Sequence, residues 1–214
     1  MSGSAFWSWS ALFLLGAYHG INPGMGWLFA VARGMQEHSG KAVVQSLGPI
    51  TLGHALAIGA VILLAGMLEA VLPLQYVKFA VAGALVGLGL YRIVRNRHFR
   101  WGGMQVGFGE LTLWSFLMAS AHGAGLMIIP LVLRLGSINA LPAAHHMHAA
   151  GVHGSTVGIG AALVHTLGYL TVTAAVALLV YFKFGLALLR KTWFNLDLVW
   201  ATALLVTGCI ALAA

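Results

Sequence analysis

Charge is what this 214-residue sequence has least of. Asp, Glu, Lys and Arg together make up 7% of it, against roughly a quarter in soluble globular domains, and that excludes an ordinary water-exposed fold. Acidic residues are scarcest, with four in all. Glu37 and Asp197 fall in or beside connecting segments, Glu69 near one end of an apolar run and Glu110 near the start of another. None stands at mid-run, which argues against a carboxylate cage for calcium or magnesium. Glu110 has the position of an inner gate or proton-coupling carboxylate, or of an ion-pair partner for the basic segment before it. The single cysteine, Cys209, cannot close an internal disulfide and excludes a paired-thiol redox mechanism within one chain. Ten-residue alternating segments are missing, which argues against a membrane β-barrel. No Lys or Arg precedes the first apolar run, so the basic flank of a typical cleaved signal peptide is absent as well.

Apolar residues dominate instead, at 60% of the chain with a mean hydropathy of +0.93. Long continuous apolar runs predict an all-α polytopic membrane protein with six transmembrane helices, at about 5–32, 42–70, 76–91, 106–135, 157–182 and 196–213. Basic residues then set the orientation. Arg33, Lys41, Arg92, Arg95, Arg97, Arg100, Lys183, Arg190 and Lys191 fall in the first, third and fifth loops, whereas only Lys78 and Arg134 fall toward the other side. Both termini are therefore expected to be non-cytoplasmic, in the inner (plasma) membrane. The net charge of +7 is read as insertion topology, with anionic lipids on the cytoplasmic side as partners and no nucleic acid.

Polar residues inside these runs carry the functional signal. The stretch Leu15–Trp27, LGAYHGINPGMGW, sets His19 and Asn22 beside Pro23, which removes a backbone donor and predicts a kink or break there. A second copy of the pattern follows. LLGAYHGINPGM aligns with LMASAHGAGLMI, placing His19-Gly20 over His122-Gly123, and His54-Ala55-Leu56 aligns with His165-Thr166-Leu167. Two three-helix repeats, 1–105 and 106–214, are expected, inverted in the membrane because each has an odd number of spans. All four histidines lie roughly a dozen residues from a span end, which at about 1.5 Å per residue puts them near the bilayer midplane.

A lone helix histidine is more often a hydrogen-bonded packing residue, but two repeat-matched pairs at one depth point to a shared site. His19, Asn22, His54, His122 and His165 are the candidate ligands for a transition metal ion, since neutral imidazole suits nickel, cobalt, copper and zinc. Met25, Met118 and Met127 could add sulfur, although core filling is the commoner role for methionine. The loop at 137–154 holds His145, His146, His148 and His153. It reads as an outer metal-capture segment, or as a flexible or pH-titrating patch.

The motif at His19, Asn22, Pro23 and Gly24, with Gly53-His54 in the second span, resembles the lysine-exporter superfamily of small six-helix permeases. Its nearest branches are the nickel/cobalt exporters and the urease-accessory-like membrane proteins. In the nickel/cobalt branch an aspartate and a second histidine normally follow the proline, whereas this chain has HGINPGMG. The resemblance implies a permease that exports its substrate, with the two halves rocking about a midplane site. The expectation is a metal-ion transporter and not an enzyme. Two other classes compete: a redox protein with histidine pairs as axial ligands of b-type haem, and a metal-handling accessory subunit of a larger membrane enzyme. A homo-oligomer or a larger membrane complex is the assembly such a chain would join.

Overall fold

The computed structural model describes residues 3–94, 107–139, 155–184 and 196–213. The basic segment at 95–106 and the loop bearing His145, His146, His148 and His153 lie outside the described residues. Among the described residues every regular element is helical. In chain order they are α1 (Gly3–Ile21), a 3-10 turn (Pro23–Met25), α2 (Trp27–Gln36), α3 (Gly40–Val71), α4 (Leu74–Val94), α5 (Phe108–Ala121) and α6 (Ala124–Asn139). Then come α7 (Ser155–Leu179), continued by a π-helical turn (Val180–Phe184), and α8 (Leu196–Ala213).

Three stretches, Gly40–Glu69, Leu74–Tyr91 and Thr156–Phe184, are long and apolar enough to cross a membrane. The pair α5 and α6 counts as a fourth if taken together across its 63° bend. The side chains are sorted accordingly. Trp7, Leu63, Met67 and Phe182 stand exposed, while Ser8, His19, Asn22, Ser46, His54, Ser115, His122, His165 and Thr173 are buried. Apolar groups outward and polar groups inward is the inverse of a soluble bundle, and it places the chain's scarce polarity in one interior.

The expected first run, 5–32, is broken near Pro23 into α1, the 3-10 turn and α2. Asn22 caps the turn by accepting a hydrogen bond from the Gly24 amide at 2.9 Å. The Trp27 indole donates to the Ile21 carbonyl at 2.9 Å, tying the two helices across the gap. The expected fourth run, 106–135, is also broken, at a place its one proline does not mark. Pro130 lies inside α6, as Pro49 lies inside α3. The break falls at His122-Gly123 because Gly123 takes φ +69°, the left-handed geometry that terminates a helix. The chain then restarts at once, with the Met127 amide donating to the Gly123 carbonyl at 3.0 Å.

Packing follows a pattern of exchange. The most extensive pairings are α1 on α7, α3 on α5 and α4 on α8, with α3 also against α7. Swapping α1 with α5, α3 with α7 and α4 with α8 carries this set of pairings onto itself. Small residues permit the close crossings. A Cβ on Gly16 of α1 would run into the His165 carbonyl of α7, and one on Gly53 of α3 would run into the Thr112 carbonyl of α5.

Glu110 has a local task. Its carboxylate accepts from the Gly107 amide at 2.9 Å and so closes the first turn of α5. The basic residues expected as its ion-pair partners, Arg95, Arg97 and Arg100, lie outside the described residues. Glu37 pairs with Arg33 one helical turn away, at 2.8 Å.

Candidate functional site

Both helix breaks are preceded by a histidine held in the same way. His19, in the last turn of α1, donates its Nδ1–H to the Leu15 carbonyl at 2.7 Å. His122, which caps α5, donates its Nδ1–H to the Met118 carbonyl at 2.7 Å. Each bond spans one helical turn and fixes the tautomer, leaving Nε2 as the ring's acceptor nitrogen. Metal-ligating histidines are commonly oriented by such a bond to a carbonyl.

Three helices then converge on His19. His54 from α3 and His165 from α7 approach it with ring centroids 5.8 Å and 5.0 Å away, and their own centroids are 5.6 Å apart with planes 6° from parallel. All three side chains are fully buried. Both nitrogens of His54 and both of His165 lack a hydrogen-bond partner of normal geometry, the Leu12 carbonyl lying close to His165 without such a bond. A buried, unsatisfied polar atom costs about 1–3 kcal/mol, so these imidazoles are poor choices for packing alone. Such groups in a native fold call for a partner such as an ordered water, an ion or a ligand.

Tyr169 closes one side of this group. It lies one turn beyond His165 on α7 and stacks on His54 with centroids 3.8 Å apart and planes 10° from parallel. Its hydroxyl donates to the Met25 carbonyl in the 3-10 turn. One residue thereby joins α7, the His54 ring and the backbone of the first break.

His122 belongs to a neighbouring group built around Gly24. Asn22 Oδ1, Met118 Cε and His122 Cε1 lie 3.3, 3.4 and 4.0 Å from where a Cβ on Gly24 would stand. Of the five expected ligands, the structure thus gathers His19, His54 and His165 in one group, and His122 and Asn22 about Gly24. Met25 and Met127 have buried side chains in the apolar core. Among the described residues, no group of three or more His, Cys, Asp or Glu side chains is positioned as it stands to hold a metal ion. The imidazoles are collected, and their nitrogens do not converge on one point.

Comparison with protein-family models, curated proteins and solved structures finds no match to this chain. The site is therefore interpreted from its own chemistry. Sequence reasoning passed over Tyr169, although one signal was available: a phenol one helical turn from a buried histidine, in an otherwise apolar run, needs a partner for its hydroxyl. It also passed over Ser115, buried in α5, which donates to the Ile50 carbonyl of α3 at 2.6 Å and ties the second close crossing.

Proposed function

We propose that the chain is a polytopic transporter of the plasma membrane that exports a late first-row transition metal ion, nickel, cobalt, copper or zinc, through its buried histidines. The observation that carries this reading is the convergence of His19, His54 and His165 from three different helices. A metal–imidazole bond of about 2.0–2.1 Å places ring centroids roughly 3 Å from the ion and hence roughly 5 Å from each other around a tetrahedral centre. The observed separations are 5.0, 5.6 and 5.8 Å. The rings are spaced for a shared ion, and binding would require them to rotate, His54 away from its stack on Tyr169.

In this reading the six apolar runs are six spans, arranged as two inverted three-helix repeats with both termini non-cytoplasmic. The exchange symmetry of the pairings and the matched His19 and His122 bonds support it. Broken helices beside a midplane site are how many secondary transporters expose backbone dipoles to an ion and rock about it. The Gly24 group, with His122, Asn22 and Met118, gives the ion a second station beside the 3-10 turn. Exchange of the ion for protons on the imidazoles supplies the coupling.

The test is metal flux in proteoliposomes with His54→Ala and His165→Ala, alongside equilibrium metal retention by the purified protein. Each variant is expected to lose about tenfold or more in retention, at least the loss that follows removal of a ligand's orienting partner, and flux with it. Unchanged flux and retention in both would defeat the proposal. The purified protein is expected to show no Soret band, and a Soret band lost with the same variants would transfer the site to haem.

A further inference from the structure

Of the two rings stacked at the edge of the histidine group, one is anchored and the other is not. The Tyr169 hydroxyl is bonded to the Met25 carbonyl, and the buried Ser115 and Thr173 hydroxyls lie close to the same phenol oxygen. Its backbone is confined as well, because α1 passes so near that a Cβ on Gly20 would stand 2.6 Å from the Tyr169 carbonyl. His54 has no polar anchor, since neither of its ring nitrogens has a hydrogen-bond partner. The stack, with centroids 3.8 Å apart and planes 10° from parallel, holds the imidazole by its face and leaves both nitrogens unused.

An ion and this stack make opposed demands on His54. Coordination needs a nitrogen aimed at a point that the three imidazoles share, which the present orientations do not provide. The Cβ–Cγ bond lies in the plane of an imidazole, so turning the ring about that bond tilts the plane and lifts it from the phenol. We propose that Tyr169 is a positioning residue that sets how tightly the histidine group holds its ion, by keeping His54 in an orientation that the ion must displace. The inference rests on the metal-transport reading and goes beyond it by assigning the cost of loading to one residue. An exporter has to release what it binds, and an aromatic face that takes the imidazole back favours release. On the scale of other aromatic pairs the stack weakens ion binding about three- to tenfold, corresponding to about 0.6–1.4 kcal/mol.

The experiment is equilibrium retention of zinc, added alone, by the purified full chain in detergent, with the folding of each variant checked by thermal unfolding. Tyr169→Leu, which removes the flat face and keeps apolar bulk, should bind zinc about three- to tenfold more tightly than the unsubstituted chain, a gain that a merely structural residue would not give. Tyr169→Phe keeps the face and should stay within about twofold. In the unsubstituted chain with labelled histidine rings, the His54 resonances, assigned by their loss in His54→Ala, should be shifted upfield by the phenol and move downfield as zinc is added. That measurement decides the matter if Tyr169→Leu does not fold. Zinc binding by folded Tyr169→Leu no tighter than in the unsubstituted chain, or His54 resonances that keep their upfield shift in the zinc-loaded protein, would overturn the inference. A gain in Tyr169→Phe as large as in Tyr169→Leu would overturn the stack as its cause. Unchanged retention in His54→Ala and His165→Ala would defeat the metal reading itself, whereas loss in those two with no gain in Tyr169→Leu defeats only the part given to Tyr169.

Discussion

The two broken helices begin alike and end differently. In both, a histidine donates Nδ1–H to the carbonyl one turn back, and a glycine lies directly after it. The second break then needs a single left-handed residue, Gly123, before α6 starts. The first inserts a capped 3-10 turn and restarts at Gly26 with φ +129°, a geometry outside the left-handed helical region. The larger detour has a consequence. It brings the Met25 carbonyl to Tyr169 and Asn22 to the His122 side, so the first break touches both histidine groups, whereas the second carries only its own. One sequence pattern has thus been elaborated on one side and left simple on the other.

Substituting the two hinge glycines is the strongest way to break that comparison. Gly123 occupies the region that asparagine tolerates, and a Cβ there meets only the ends of Leu204 and Leu88. Gly123→Asn should therefore cost about 1–2 kcal/mol at most, the usual scale of left-handed strain. At Gly26 the backbone suits glycine alone, and a Cβ would run into the Ile50 side chain. Gly26→Asn should cost about 3–5 kcal/mol, backbone strain and overpacking together. Thermal unfolding of the purified variants in detergent measures both. Equal losses would mean that the two breaks are equivalent hinges after all.

The sequence showed the first break and missed the second for a physical reason. Pro23 lacks a backbone donor and Asn22 is a capping side chain, and both properties belong to residue type. Gly123 ends α5 through a dihedral angle, which composition does not reveal, and the one proline of that run, Pro130, lies where the helix continues. Helix extents were legible where runs were unbroken, as in α3 and α7, because hydropathy and length decide them. The burial of all four histidines was legible, because an imidazole in an apolar run is turned to the bundle interior. Their division into His19, His54 and His165 on one side and His122 on the other was not, since it depends on which helices pack together and on the path of a three-residue turn. The part assigned to the loop with His145, His146, His148 and His153 lies outside the described residues.

A smaller effect separates the two close crossings. On the α1–α7 side, Tyr169→Phe keeps the ring against His54 and removes the hydroxyl's bond to the Met25 carbonyl, a buried acceptor in a non-α-helical turn. The expected cost is about 1–3 kcal/mol. On the α3–α5 side, Ser115→Ala removes a bond to the Ile50 carbonyl, which lies inside α3. That loss should be about 0.5–1.5 kcal/mol, the net value of an ordinary hydrogen bond. A Ser115→Ala loss as large as that of Tyr169→Phe would show that the hydroxyl at the break has no special structural part.

The finest distinction concerns Asn22, whose aligned position in the second half is Gly125. The second break needs no side-chain cap because its helix restarts directly on the Gly123 carbonyl, whereas the 3-10 turn depends on the Asn22 bond to Gly24. Asn22→Ala should cost about 1 kcal/mol, the usual value of a lost cap, and Asn22→Ser should recover most of it because a hydroxyl can accept the same bond. Metal flux separates this structural part from a second one. If the amide oxygen also meets the ion at the Gly24 station, the serine variant regains stability and not flux, because its shorter side chain cannot accept from Gly24 and also reach toward His122. Recovery of both together would leave capping as the whole of Asn22's part.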